Sequence, residues 1–582
     1  MIVEMKKVTL LVSAKEKLTA VEKLRSLGVM HIKYINQPVS GDINELESRV
    51  SDAEKALFLL GEAETQKDIQ DHQAPELISK ILELDKNREN LNNERAEKKD
   101  MYRWFQEWGR VSLKSVRELG DAGVYIRYYI AERHHFEELP EDKHVHIVEQ
   151  DKNIVKFALV TRDPEERLAL PEARMPEVEV EELENDIAEL EDQINQIKNQ
   201  LSEYNQYTKA LQAYRTNLTK QLELHRVLHS MGDEGAFTYL QGFIPYDQVP
   251  DVEKTADREG WGYIVDDPDD PREVPTLIRN KKPIRIVQPL YDFMGTLPGY
   301  NEMDVSLVFL VFFSIFYAML VGDGGYGLVF LIGTYWASKK FKNAPREPFF
   351  LFYVLSITTI LWGLITGTWF GSRYLANLPF LEPFIIDRIY SFNESSEAIN
   401  FLMKLTFIIG GIQLAIARLM SAAKKIPSPT FIAEIGWVFI LGCVYFVANN
   451  LVLGEPMPNY AMTLLIIGSV LVAVFANFQK NILKGFLITL GNLPLDIIGS
   501  FSDIVSYIRL FAVGVASVTV AYSFNDMAGG VLAPLILVFG HGLNILLALM
   551  AVIVHGIRLN MLEFSQHLGQ EWTGKEYQPF KE

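Results

Sequence analysis

The sequence predicts a two-part fold: an α+β arm with a long antiparallel coiled-coil hairpin, then an all-α membrane domain of about eight transmembrane helices. Three observations predict it. The 582 residues change character near residue 290, from Glu-, Lys-, Asp- and Gln-rich to long apolar runs. Apolar positions three and four apart alternate through residues 183–222. Apolar stretches of bilayer-spanning length recur between residues 304 and 562. The compositional break sets two domains, a cytoplasmic arm at 1–290 and a membrane domain at 291–582.

Charge and cysteine content narrow the function. The net charge is −18, which argues against a nucleic-acid partner. The lone cysteine, Cys443, lies in an apolar run and leaves no disulfide framework or thiolate metal cluster within one chain. No metal or cofactor is expected. The start, MIVEMKKVTLLVS, lacks the apolar core and cleavage site of a secretory leader, so the amino terminus is expected in the cytoplasm.

The arm begins as strand, helix, strand over residues 5–35. KKVTLLVS is β-branched and apolar, the next segment has helical spacing and ends on Gly28, and VMHIKYI alternates like a half-buried strand. A similar unit occupies 236–266, and a third mixed patch covers about 112–162. Between them lie charged helices. Leu183, Ile187, Leu190, Ile194, Ile197 and Leu201 begin the heptad-like run, and Leu211, Leu218 and Leu222 continue it. Residues 42–110 match more weakly, and the two stretches together predict a hairpin. About 45 residues of helix reach roughly 65 Å, the dimension of a strut. An ordinary helical bundle is the alternative.

The apolar runs lie at roughly 304–321, 324–338, 349–370, 402–420, 430–453, 461–479, 494–524 and 531–562. The last two exceed a perpendicular span and are expected to tilt. Basic residues cluster before the first run (RNKKPIR, 279–285) and in alternate loops. These hold Lys339, Lys340, Lys342 and Arg346, then Arg418, Lys424 and Lys425, then Lys480 and Lys484. All fall on one side if both termini are cytoplasmic.

Ionisable residues inside the apolar runs are the candidates for function. Arg509 sits about 15 residues into the seventh run, roughly 20 Å deep. An arginine there costs about 3 kcal/mol on insertion scales and cannot discharge itself, so it needs a carboxylate or a wet cavity. Ser502, Ser506 and Arg509 share a helical face that continues through Ala512, Val513 and Ala516, with Gly499 behind. Small residues allow another helix to approach closely. Asp496 and Asp503 lie on a different face, as if lining a wet entrance. In the last run His555 and Arg558 are three apart, Asn560, Glu563 and His567 form a second polar face, and His541 and Asn544 lie further out. Gln413, Arg418 and Glu434 are polar points at helix ends. Two structural alternatives stand beside these readings: Arg509 neutralises an acid on a neighbouring span, and His555 is a satisfied helix-contact histidine. GDGGYG, residues 322–327, is explained by a tight turn that needs glycine. There is no GxxxxGK[ST], HExxH or catalytic-triad pattern, so ATP chemistry would have to occur on another chain.

GDGGYG, WGLITGTWFG (362–371), PLDIIGSFSDIVSYIRLFAVGVA (494–516) and VHGIRLNMLEF (554–564) together resemble the subunit I, or subunit a, family of V-type and A-type ATPases, in its shorter bacterial or archaeal form. The resemblance spans essentially the whole chain. It implies a non-catalytic stator subunit in the cell membrane, set beside a ring of proteolipid subunits that each carry a buried carboxylate. It also implies an arm that binds peripheral-stalk subunits of the E and G type, with a central-stalk or ring-cap subunit as a further partner. By resemblance Arg509 matches the arginine that faces the ring, and Arg558 matches a second arginine on the last span. One departure is His555, where some relatives carry Gln. On this reading Asp496, Asp503, Glu434 and Glu563 line the cytoplasmic half-channel, and Ser517, Thr519, His541 and Asn544 the outer one. Competing readings are a secondary transporter with a cytoplasmic regulatory arm, which would place broken, repeated spans around a midplane site, and a membrane-anchored scaffold.

Overall fold

The structure, a computed structural model, describes residues 1–61, 66–140, 142–393, 395–477 and 482–581, without the side chains of 482–484 and 530. Of the basic residues expected to set orientation, Lys480 and the Lys484 side chain lie outside the described residues. The chain divides into two compact units. One comprises Met1–Leu11, Leu24–Lys33 and Gln241–Lys581, the other Val12–Lys23 and Tyr34–Leu240.

The chain opens with β1 (Met5–Ser13), α1 (Lys17–Leu27) and β2 (His31–Lys33). Alternation in β1 buries Val8, Leu10 and Val12. Gly28 ends α1 with φ +63, the left-handed conformation that glycine adopts without penalty.

The second unit holds α2 (Gly41–Leu59), α3 (Ala74–Trp108), α4 (Leu113–Asp121), β3 (Tyr125–Glu132), α5 (Arg133–Glu137), β4 (Val145–Gln150), β5 (Ile154–Thr161), α6 (Val180–Glu203), α7 (Thr208–Ser230) and β6 (Gly232–Glu234). Arg95 lies 3.9 Å from Glu191 and the Tyr102 hydroxyl donates to Glu184 at 2.9 Å, so α3 and α6 run antiparallel. Glu47 on Arg226 (2.7 Å) and Glu54 on Arg215 (3.4 Å) show the same for α2 and α7. Ile43, Leu46, Ile78, Ile81, Leu201, Leu211, Leu218 and Leu222 form the shared core of these helices. The heptad-like run is not one helix: a short 3-10 turn at Tyr204–Tyr207 divides α6 from α7. Strands β3, β5 and β4 form an antiparallel sheet around Tyr129 and Phe157.

Returning to the first unit, β7 (Phe237–Pro245), α8 (Val249–Glu259), β8 (Gly262–Asp266) and β9 (Pro275–Thr276) follow. The sheet order is β2-β7-β1-β8. Two short helices, α9 (Lys282–Arg285) and α10 (Gln288–Met294), lead to the apolar helices α11 (Ser306–Val321), α12 (Gly324–Lys340) and α13 (Arg346–Thr366). After α14 (Arg373–Ala376) come α15 (Ser396–Lys425), α16 (Phe431–Leu453), α17 (Tyr460–Phe475), α18 (Ile482–Ser506), α19 (Ile508–Met527) and α20 (Ala533–Ala551). Two π-helical stretches, Val552–Gly556 and Leu559–Phe564, then precede α21 (Ser565–Leu568) and β10 (Lys575–Glu576).

Among the described residues, five helices are long and apolar enough to cross a bilayer: Arg346–Thr366, Ser396–Lys425, Phe431–Leu453, Gly485–Met527 and Ala533–Leu568. The chain is thus a multi-pass membrane protein. The eight spans expected from the apolar runs are not all reached by length, for two reasons. α11 and α12 form one pair bent by 118°, and α17 has only 16 residues. The bend has a visible cause. Gly322 is left-handed (φ +71), and Asp323 caps α12 by accepting from the N–H of Gly325 at 2.7 Å and Tyr326 at 3.3 Å. Apolar side chains such as Ile332, Trp336, Leu361, Ile466 and Leu535 are exposed on this unit, as a lipid-facing surface requires.

The last part of the chain returns to the β2 region. β10 pairs with β9, the Phe580 N–H donates to Met30 O at 2.8 Å, and Phe580 is buried.

Candidate functional site

The seventh run is two helices. Tyr507 separates α18 from α19, and the N–H groups of Tyr507 and Leu510 bond three residues back, to Ile504 O and Tyr507 O. Arg509 therefore stands one residue into α19, where the Ser506 carbonyl is free to accept from its Nε at 2.9 Å. Tyr507 is fully buried, and its ring fills space left by Gly410, where an added Cβ would come within 2.5 Å.

The Arg509 guanidinium does have a carboxylate. Its Nη2 donates to Glu563 Oε1 at 2.6 Å, and Arg558 Nε lies 3.6 Å from the same oxygen. The Glu563 side chain is 6% exposed, Arg509 24% and Arg558 54%. The π turns explain how Arg558 and Glu563 meet. Five residues apart in an α-helix they would diverge, but i→i+5 bonding brings them to one side. His555 sits in the preceding π turn, and its Nδ1 is buried without a hydrogen-bond partner.

A neutral bridge joins three helices behind this pair. The Tyr507 hydroxyl donates to Gln413 Oε1 at 2.7 Å, and Gln413 Nε2 donates to Asn560 Oδ1 at 2.8 Å. A second charged cluster follows. Asp503 lies 2.9 Å from His567 Nε2, and Arg418 Nε lies 3.1 Å from His567 Nδ1. Arg418 Nη1 reaches Glu434 at 3.1 Å, and Lys425 pairs with that carboxylate as well. Glu434 is thus a buried, paired acid. Ser506 donates to the Asp503 carbonyl at 2.6 Å rather than to Arg509. Asp496 is exposed and makes none of the described contacts with either cluster.

The structure therefore brings Arg509, Arg558, Glu563 and His555 together, and separately Asp503 and Glu434 through His567 and Arg418. Ser502, Ala512, Ala516 and Thr519 are exposed along the face that carries Arg509, and Ser506 and Val513 are half-buried.

On the other side of Arg509 lies a cavity of about 300 Å³, lined among others by Leu510, Thr519, Tyr522, Thr366, Arg373 and Tyr390. Arg373 stacks over Tyr522 at 5.1 Å. Three of the polar residues expected on that side are occupied with packing contacts. Asn544 donates to Ser517 O at 2.8 Å and to Tyr326 Oη at 3.0 Å, and Ser517 donates to Val321 O at 3.1 Å. His541 lies 2.8 Å from Tyr326 Oη and 3.2 Å from Asn525 Oδ1.

Sequence reasoning missed Asp323. Besides capping α12, its carboxylate accepts from the N–H of Phe370 and of Gly371, each at 2.8 Å. GDGGYG and WFG are thereby one latch, and Gly324 and Gly363 allow backbone contact between α12 and α13. An aspartate between two apolar runs was the available signal.

No protein-family model matches the chain. V-type ATP synthase subunit I of Borreliella burgdorferi is 32% identical over 622 residues, covering 100% of this chain and 99% of that one. V-type ATP synthase subunit I 1 of Treponema pallidum is 28% identical over 625 residues, covering 100% of both. A-type ATP synthase subunit I of Methanocaldococcus jannaschii is 25% identical over 392 residues, 59% of this chain and 55% of that one. The crystal structure of the cytoplasmic N-terminal domain of subunit I, homolog of subunit a, of V-ATPase aligns over 45% of this chain and 99% of that one at 16% identity, with a TM-score of 0.25. End-to-end likeness at the first of these identities makes this chain a member of the V-type ATP synthase subunit I family.

Proposed function

We propose that this chain is the stator membrane subunit of a rotary V-type ATPase or ATP synthase, and that Arg509 drives ionisation of a carboxylate on a passing proteolipid ring. The chain does no catalysis itself, and ATP is turned over on other subunits. The observation that carries the reading is Arg509 itself. It is a guanidinium held by Glu563 and by a backbone carbonyl, partly exposed on a face flanked by small residues.

The chemistry follows from charge. A ring carboxylate that carries its ion is neutral and tolerates lipid, whereas an ionised one does not. Beside Arg509 the ionised form is stabilised, so the ion leaves into one half-channel. After the carboxylate passes, it reloads from the other. Glu563 occupies one terminal nitrogen of the fork and the Ser506 carbonyl occupies Nε, which leaves further donors for an incoming carboxylate. Lysine offers no such fork and discharges when buried.

Asp496, Asp503 and Glu434 are proposed for the cytoplasmic half-channel, with Glu563 now as the resting partner of Arg509. The cavity beside Leu510 and Thr519 is proposed for the outer one. Residues 1–290 serve as a cytoplasmic arm whose paired helices act as a coiled-coil strut on E- and G-type peripheral stalks, with a ring-cap subunit as a further contact. Residues 291–582 supply about eight spans with both termini cytoplasmic, the last two long and tilted. The Glu563 contact also favours a second reading, in which Arg509 is only a structural counter-ion.

ATP-driven ion uptake into vesicles holding the assembled complex separates the two, with co-purification confirming assembly of Arg509→Lys and Arg509→Ala. Loss of uptake in both assembled variants supports the stator reading. Near-normal uptake by assembled Arg509→Ala leaves only the counter-ion.

A further inference from the structure

Far along the sequence from the charged helices, α2 and α7 carry a group with different chemistry. His225 and His229 are one helical turn apart on α7 and so share a face. Asp42, in the first turn of α2, lies beside them. One ligand atom from each of the three lies within 4.8 Å of the others. Among the described residues no hydrogen bond or ion pair engages these three side chains, although salt bridges are common elsewhere on the same helices.

We propose that Asp42, His225 and His229 form a binding site for a divalent transition-metal ion of the zinc type. Two imidazole nitrogens and one carboxylate oxygen suit Zn²⁺, Co²⁺ or Ni²⁺, whereas Mg²⁺ and Ca²⁺ require mostly oxygen ligands. A four-coordinate ion about 2.0–2.2 Å from each ligand holds neighbouring ligand atoms about 3.3–3.6 Å apart, so side-chain rotations of roughly an ångström close the site. Water completes the coordination, because His229 and Asp42 are exposed.

The scaffold is suited to the task. Ser40 caps α2, accepting from the Ile43 N–H at 3.2 Å, and thereby fixes the turn that carries Asp42. Ile43 and Leu46 pack in the same core as Leu218 and Leu222, and Glu47 pairs with Arg226 at 2.7 Å. That pairing offsets the cationic side chain next to His225. His229 lies in the last turn of α7, where the helix dipole favours a cation. The ion would tie two helices distant in sequence. It has no part in the ion-translocation reading and stands whether or not that reading does.

A rival group, Glu132, His134 and His135, is exposed and comes from near-adjacent residues at the junction of β3 and α5. It supplies the internal control. The test uses the full chain in detergent, without a polyhistidine tag and stripped with chelator. Zn²⁺ is titrated by calorimetry and Co²⁺ by visible absorption. The expected result is one saturable equivalent that His225→Gln or His229→Gln weakens by more than about tenfold and Asp42→Asn weakens less. Zinc should also slow hydrogen exchange at residues 41–46 in the wild type but not in the histidine variants. All three residues are surface-accessible, and circular dichroism verifies that each variant is folded. The proposal is overturned if no saturable equivalent is found, or if binding survives both histidine substitutions and is lost with His134→Gln and His135→Gln.

Discussion

Replacing Glu563 by Gln removes one charge from between two guanidiniums while keeping the side chain's shape. Three features fix the expected cost. Arg509 lies 2.6 Å from Glu563 Oε1, a gross attraction of about 6 kcal/mol at an effective dielectric of about 20, most of it offset by desolvation. Glu563 Oε2 is buried without a partner, so the new amide nitrogen would have no acceptor. Arg558 lies further away, at 3.6 Å, and is 54% exposed, so it adds little. Removing one partner of a buried pair costs about 3–5 kcal/mol, and Gln, which retains an acceptor for Arg509, should fall near the lower figure. The assay is a double-mutant cycle on the purified chain, unfolded by SDS titration in mixed micelles and followed by circular dichroism. Glu563→Gln, Arg509→Met and the double variant should show a coupling of at least about 1.5 kcal/mol. The corresponding cycle with Arg558→Met should be weaker. A coupling below about 0.5 kcal/mol for the Arg509 cycle, or an Arg558 cycle larger than it, refutes the reasoning.

Asp323→Ala leaves four backbone donors without their acceptor and should cost more than about 4 kcal/mol, read as lost expression or a lowered Tm, with Asp323→Asn milder because one oxygen remains. Gly363→Ala would place a Cβ 2.2 Å from the Gly324 nitrogen and should destabilise by about 1–3 kcal/mol in thermal unfolding, whereas Gly333→Ala, which meets nothing within 4 Å, should be tolerated. Acid should loosen the returning C-terminal segment. Burial holds the His31 pKa below its ordinary 6.5, outweighing the 3.1 Å contact of its Nδ1 with Gln578 O, which favours the protonated ring. A depressed histidine pKa stabilises the fold above 6.5, and that contribution is lost as pH falls toward the folded-state value. The protection factor of the Phe580 amide should therefore fall on acidification below 6.5, and that dependence should be lost in His31→Ala.

Much of this molecule was legible in the sequence, and the failures have physical reasons. Periodicities of two and 3.6 residues located the strands of the first and last α/β units, and Arg509 stood out because an arginine in an apolar run needs a partner. That partner, Glu563, is 54 residues away, and only folding brings it near. Its relation to Arg558 was hidden for another reason. A helical wheel assumes α geometry, and π turns shift the register of everything beyond them. The break at Tyr507 has no glycine or proline to announce it. The Tyr507 ring at the break packs against Gly410, on another helix. Five of the eight apolar runs form helices long enough to span by themselves, and apolar composition did not reveal the 118° bend between two of the others. Asp323 looked like turn chemistry because its remaining two donors come from residues 370 and 371.

The exposed stripe of Ser502, Ala512, Ala516 and Thr519 has a consequence for friction. Long side chains interlock, and sliding one helix past another then requires their rotamers to reset, at an entropic cost of up to about 2 kcal/mol for each flexible residue. Alanine has no such rotamers, and serine and threonine have few. A neighbour moving across this stripe meets small side chains and shallow corrugation beside the longer Arg509. Little of the work done by such a motion would be dissipated in repacking, and most of the position-dependent force would come from charge rather than from interlocking side chains.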